Sequence, residues 1–123
     1  MTINEAISSL DALKHNTYTR SDKVTWLSRL DHRIQQEILD THEASACMAF
    51  PGYTDDTDGD TELLVPAPYD EVYLRWMEAQ IDYQNGEYGR YNNSVTMFND
   101  AYSAYERFYN RTHMPIGRSL KLF

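Results

Sequence analysis

A single cysteine, Cys47, excludes an intrachain disulfide, so nothing in cysteine usage points to an oxidising compartment. No apolar run approaches the roughly 18–20 residues of a membrane-spanning helix, and a membrane partner is not expected. Met1 to Lys14 carries acids and polar side chains at short intervals, without the basic and apolar regions of an export signal. Cytoplasmic synthesis is the expectation. Positive charge is scarce too: 11 Lys and Arg face 19 Asp and Glu, a net charge of −8. Such a chain lacks the basic surface by which proteins grip nucleic-acid phosphates.

The residues of nucleophilic or metal chemistry are also missing. No glycine-rich phosphate loop occurs, and Cys47 has no partner cysteine. His15, His32, His42 and His113 show no metal-ligand spacing and read as surface or interface histidines. The acidic run Asp56 to Glu62 resembles a calcium loop in composition only. A calcium loop counted from Asp56 requires Gly at its sixth position and Glu at its twelfth, where this chain has Thr61 and Ala67. No catalytic residue, metal site or cofactor is therefore assigned, and an enzyme is not expected.

What the chain has in quantity is tyrosine, 10 in 123 residues. A residue with an apolar ring and a polar tip suits half-buried faces and interfaces. The length fits one domain. Periodicity predicts an all-α fold, a small bundle of about four helices over residues 1–111 followed by a C-terminal tail, 112–123. Thr2 and Glu5 form a capping box ahead of the stripe Ile3, Ala6, Ile7, Leu10 and Leu13. Thr19 or Ser21 caps a second helix with the stripe Val24, Leu27, Leu30, Ile34 and Ile38, running to about His42. Arg29, Asp31, Arg33, Gln36, Glu37 and Asp40 form its expected wet face.

Residues 43–67 break the pattern as a long acidic loop, with a turn at Pro51-Gly52 and a candidate short strand at Leu63-Leu64-Val65. A connection of this length is unusual unless it has a role. In an assembly protein such a loop meets neighbours or lines a pore, and Asp55, Asp56, Asp58 and Asp60 are the residues to which the resemblance described below gives that channel or inter-subunit role. Pro68 is placed at the start of helix 3, where a missing N–H costs little. That helix is apolar on several sides through Val72, Tyr73, Leu74, Trp76, Met77, Ala79 and Ile81, so it is either central to the fold or buried between subunits. Asn85-Gly86 ends it. Tyr88, Tyr91, Val95, Phe98, Tyr102, Tyr105 and Tyr109 then alternate steps of three and four, a seam that predicts one long helix. Its Gly, Asn, Ser and Thr content makes that helix dependent on packing. Beyond Glu106 the chain carries four cations and no acid, which leaves −12 on the remainder of a chain with net charge −8. Arg111, His113, Arg118, Lys121 and Phe123 are the candidate partner-binding residues of this basic end.

Longer phrases run through nearly the whole chain: Trp26-Leu27-Ser28-Arg29-Leu30-Asp31, Asp40-Thr41-His42-Glu43, Gly52-Tyr53-Thr54-Asp55-Asp56-Thr57, Glu62 to Glu71, Glu78 to Tyr83, Gly89 to Ser94 and Tyr109 to Pro115. In these the chain resembles the small head-tail connector, or head-completion, proteins of long-tailed phages and prophages of Gram-positive bacteria. The phrases mark kinship rather than chemistry. The resemblance implies a structural virion protein, assembled in the host cytoplasm as a homo-oligomeric ring of about twelve subunits. Such a ring lies below the portal protein, extends the DNA channel without sequence-specific binding, and offers a platform for the next neck or tail-completion protein. The competing readings are a tail-completion protein or an assembly chaperone acting on another virion component, and, further off, a small regulatory or nucleic-acid-binding protein.

Overall fold

The computed structural model describes residues 1–39 and 50–113. Among the described residues four helices follow one another: α1 (Ile3–Leu13), α2 (Arg20–Glu37), α3 (Glu71–Gln84) and α4 (Tyr88–Thr112). Each packs antiparallel to the one before. Lys23 near the start of α2 reaches Asp11 near the end of α1, Trp76 of α3 donates to the carbonyl of Trp26 at 2.8 Å, and Tyr83 of α3 meets Tyr88 and Tyr91 of α4. The result is an all-α, up-and-down bundle.

Local sequence accounts for the first two starts. Thr2 with Glu5, and Thr19 with Asp22, form reciprocal capping boxes, each satisfying two backbone N–H groups that helix geometry leaves unpaired. The α3 stop is also local: Gly86 takes φ +74°, the left-handed conformation open to a residue without a Cβ. The core then assembles from the stripes. Ile3, Ala6, Ile7 and Leu10 of α1 bury against Val24, Leu27, Leu30 and Ile34 of α2. Between the two readings of the many-sided apolar surface of α3, the structure decides for the central one, since α3 touches each of the other helices. Tyr73, Met77 and Ile81 are fully enclosed.

Several local expectations are corrected. Helix α2 ends at Glu37 rather than near His42, which lies outside the described residues; a tighter turn there lets the consecutive Ile38 and Leu39 both bury. Leu63-Leu64-Val65 is not a strand. One isolated bridge joins Thr2 and Glu62, and the Val65 amide turns instead to the Tyr73 hydroxyl. Pro68 does not open α3 but precedes it, in a turn with a cis Ala67–Pro68 bond, and the helix begins at Glu71. The tyrosine seam of α4 is buried only in its later part. Phe98, Tyr102, Tyr105 and Tyr109 are in the core, whereas Tyr91 and Val95 are half-buried and Tyr88 is exposed. α4 simply outruns the core at its N-terminal end.

Candidate functional site

The acidic loop is anchored at each side of its aspartates. At one side Gly52 takes φ +86° and passes against Ser28 and His32, and the Tyr53 amide donates to Ser28 Oγ at 3.0 Å. At the other, the Asn4 amide donates to the Gly59 carbonyl (2.9 Å), the Ile3 amide to that of Thr61 (3.1 Å), and the Leu63 amide to that of Met1 (2.9 Å). Between the anchors run two tight turns, Thr54 to Thr57 and Asp58 to Thr61, each closed by a 3.0 Å backbone hydrogen bond.

The deepest anchor is Asp31, a residue expected on the wet face of α2 and in fact fully enclosed. Its Oδ1 accepts the Tyr73 hydroxyl at 2.7 Å. Its Oδ2 accepts the Tyr53 hydroxyl at 2.5 Å and the Leu64 amide at 3.2 Å. Burial pushes the Asp31 carboxyl up and outweighs these three hydrogen bonds, which favour the anion. The phenols of Tyr53 and Tyr73 are pushed up in turn, first by burial and then by the adjacent carboxylate. The signal for Asp31 is in its spacing. It follows Leu27 by four residues and precedes Ile34 by three, which places it in the core stripe.

On this frame Asp55, Asp56, Asp58 and Asp60 are all exposed. Asp58 Oδ1 accepts the Asp60 amide at 2.9 Å and so fixes the second turn. The four do not form a cation site: among the described residues no group of three His, Cys, Asp or Glu side chains converges as metal ligands would.

The other predicted surface begins at the end of α4. Arg111 is exposed in the last helical turn, where a cation suits the helix dipole. His113 folds back as a cap. Its amide donates to the Tyr109 carbonyl at 3.0 Å, and its ring stacks on Tyr109 with centroids 3.8 Å apart. Arg118, Lys121 and Phe123 lie outside the described residues. The loop and the α4 terminus share one end of the bundle, because Tyr69, at the loop exit, stacks on Phe108 with centroids 4.8 Å apart.

The opposite end carries a surface that the seam reading missed. Tyr83 and Tyr88 are more than half exposed and Tyr91 is partly so, the three rings meeting at 5.3–6.1 Å. Leu13, at the end of α1, is exposed at the same end of the bundle. Among the described residues no helix is long and apolar enough to cross a membrane.

Comparison with known proteins finds no matching family model, no matching curated protein and no matching solved structure.

Proposed function

We propose that this chain is a structural, non-catalytic virion protein of the phage head-tail connector. In this reading it forms a ring below the portal protein that extends the DNA channel and receives the next neck or tail-completion protein. The observation that carries the reading is the set of connector-like phrases spread from Trp26 to Pro115. Two structural features support it. The helical body presents the acidic loop on a hydrogen-bonded frame rather than as a loose linker. And α4 carries a cation, Arg111, in its last turn, shortly before Arg118 and Lys121 in the sequence. An acidic lining would let DNA slide without the phosphate contacts that bind it.

The test is the composition of purified particles. A connector is retained at fixed copy number, whereas an assembly chaperone is lost; absence from particles overturns the reading in favour of the chaperone. Deletion of residues 114–123 should leave a folded helical protein that no longer joins heads. Infectious particles made with the truncated chain would refute the role of the basic end. Replacing Asp55, Asp56, Asp58 and Asp60 by Asn should change DNA retention or ejection more than folding.

A further inference from the structure

Asn85-Gly86 is the one Asn-Gly step in the chain. It lies in the turn that closes α3, and both residues are exposed. Asparagine is a chemically labile side chain, and most so when glycine follows, because the glycine nitrogen has no Cβ beside it to hinder attack on the side-chain amide. In the native turn that attack is blocked in three ways. Gly86 donates its amide to the Tyr83 carbonyl at 3.1 Å and Glu87 donates to that of Asp82 at 2.9 Å, the paired bonds that finish a helix on a left-handed glycine. With ψ at −4°, Asn85 holds the Gly86 nitrogen eclipsed with its own backbone nitrogen and turned away from its side chain. The third block is tertiary. Tyr18, from the connection between α1 and α2, donates its hydroxyl to Asn85 Oδ1 at 2.6 Å.

Tyr18 is itself held in place. Its ring meets Trp26 edge-on at 5.4 Å, and its amide donates to Asn16 Oδ1 at 3.2 Å. No such cover lies over Gly86, where an added Cβ would find no atom within 4 Å. Water and hydroxide therefore reach the peptide bond as soon as the turn opens. Exposed turns open more readily than the core of a bundle, so a local opening, rather than global unfolding, sets the rate of any reaction here.

We propose that Asn85 is a site of spontaneous deamidation, and that Tyr18 keeps it closed by pinning its side chain to the α1–α2 connection. On opening, the Gly86 nitrogen gives its proton to hydroxide and attacks Asn85 Cγ. An N–Cγ bond forms, the Cγ–Nδ2 bond breaks, and Nδ2 leaves as ammonia after taking a proton from water. Water then opens the cyclic imide. Cleavage of the new N–Cγ bond leaves aspartate at position 85, whereas cleavage of the original peptide C–N bond leaves the isoaspartyl form, in which the chain runs through Cβ and Cγ. The sum is one water consumed and one ammonia released, with no redox partner. Either product puts a carboxylate at the negative end of the α3 dipole. The isoaspartyl form also adds a methylene to the backbone inside the turn that joins α3 to α4, and so misplaces the two bonds that close it. The site depends on no partner and no assembly, so the connector reading neither supports it nor falls with it.

Peptide mapping by mass spectrometry tests the site on the full chain kept in weakly alkaline buffer, with the same chain in urea beside it. In urea Asn85 should convert well ahead of Asn92, Asn93 and the other asparagines, and Gly86→Ala should lose that lead, because the added Cβ shields the nitrogen. In the folded chain the Asn85 rate should fall far below its rate in urea. Tyr18→Phe keeps the ring and removes only the hydroxyl; it should raise the folded rate roughly fivefold, the factor of one ordinary hydrogen bond. Tyr102→Phe loses a phenol bond of the same length, to Glu37 and away from the turn, and should leave the Asn85 rate unchanged. That contrast separates the pin from general destabilisation. Should Tyr18→Phe lose helical circular dichroism, Tyr18→Leu, apolar and without a donor, takes its place. Three results overturn the proposal: no lead for Asn85 in urea, a folded rate equal to the unfolded one, or a Tyr18 variant that converts no faster than Tyr102→Phe.

Discussion

The Tyr73 hydroxyl of α3 donates to Asp31 Oδ1 of α2 at 2.7 Å and, through its lone pair, accepts the Val65 amide at 2.7 Å. One phenol therefore couples two helices to the end of the acidic loop. Tyr73→Phe should cost about 2 kcal/mol, since it removes a bond to the carboxylate and leaves a buried amide without an acceptor. Asp31→Ala should cost about 3–5 kcal/mol, because two phenols and the Leu64 amide lose their acceptor together. Urea denaturation checks both. Equal, small effects would mean that the network does not hold the loop.

Acid should act on two carboxylates in opposite senses. Burial raises Asp31 above its ordinary 3.8. The folded chain then takes up that proton before the unfolded chain does, and the stability of the native protein relative to Asp31→Asn rises as pH falls through the raised value. Glu37 is lowered below its ordinary 4.5, first by the Tyr102 hydroxyl, which donates to it at 2.6 Å, and further by Arg33. Its contribution relative to Glu37→Gln is present above 4.5 and lost as pH falls through the lowered value. Urea midpoints between pH 7 and pH 3 should therefore diverge with opposite slopes for the two variants. Parallel slopes would contradict the assignment.

Asp82 is buried between Lys14 and Ser94, whose hydroxyl donates to Oδ2 at 2.6 Å, joining the end of α1 to α3 and α4. Lys14→Ala should destabilise by about 3 kcal/mol by stranding a buried carboxylate. The paired change Lys14→Met with Asp82→Leu should cost less than that single change, as replacing both charges removes the desolvation penalty. Thermal denaturation of the three proteins separates stranded charge from lost packing.

Gly52 and Gly86 both have positive φ, but their surroundings differ. A Cβ on Gly52 would sit 3.0 Å from His32 Cε1 and 3.1 Å from Ser28 Oγ, whereas one on Gly86 would meet nothing within 4 Å. Gly86→Ala should cost about 1 kcal/mol from backbone strain alone, and Gly52→Ala more. A reversed order in denaturant midpoints would argue that the loop does not pass against α2 at this point.

How far sequence carries depends on whether a feature is local. The Thr2 and Thr19 boxes, the Asn85-Gly86 stop and the stripes of α1 and α2 are decided by residues within one or two turns of one another, and each was legible. The start of α3 was not, because Pro68 serves equally well in a helical first turn or in a turn ahead of it. Asp31 was misplaced for a related reason. Polarity assigned it to solvent, while its register between Leu27 and Ile34 assigned it to the core, and register prevailed because Tyr53, Tyr73 and Leu64 supply donors. Of the candidate residues, the four loop aspartates and Arg111 are exposed as an interaction surface requires, whereas His113 is largely occupied in capping α4.

By itself the sequence determined four amphipathic helices, their acidic connection and a tyrosine seam with helical period, because helix periodicity and capping act over a few residues. Only the tertiary structure decided which parts of that seam are covered. Phe98 through Tyr109 find Tyr69, Trp76 and Arg33 opposite them, while Tyr88 extends past the end of the core. The acidic loop follows the same rule. Its order depends on Asp31 and Ser28, more than twenty residues away in the chain, and on Ile3 and Asn4, more than fifty away. Partners at such separations leave no periodic trace, so burial and hydrogen bonding between elements had to be seen rather than read.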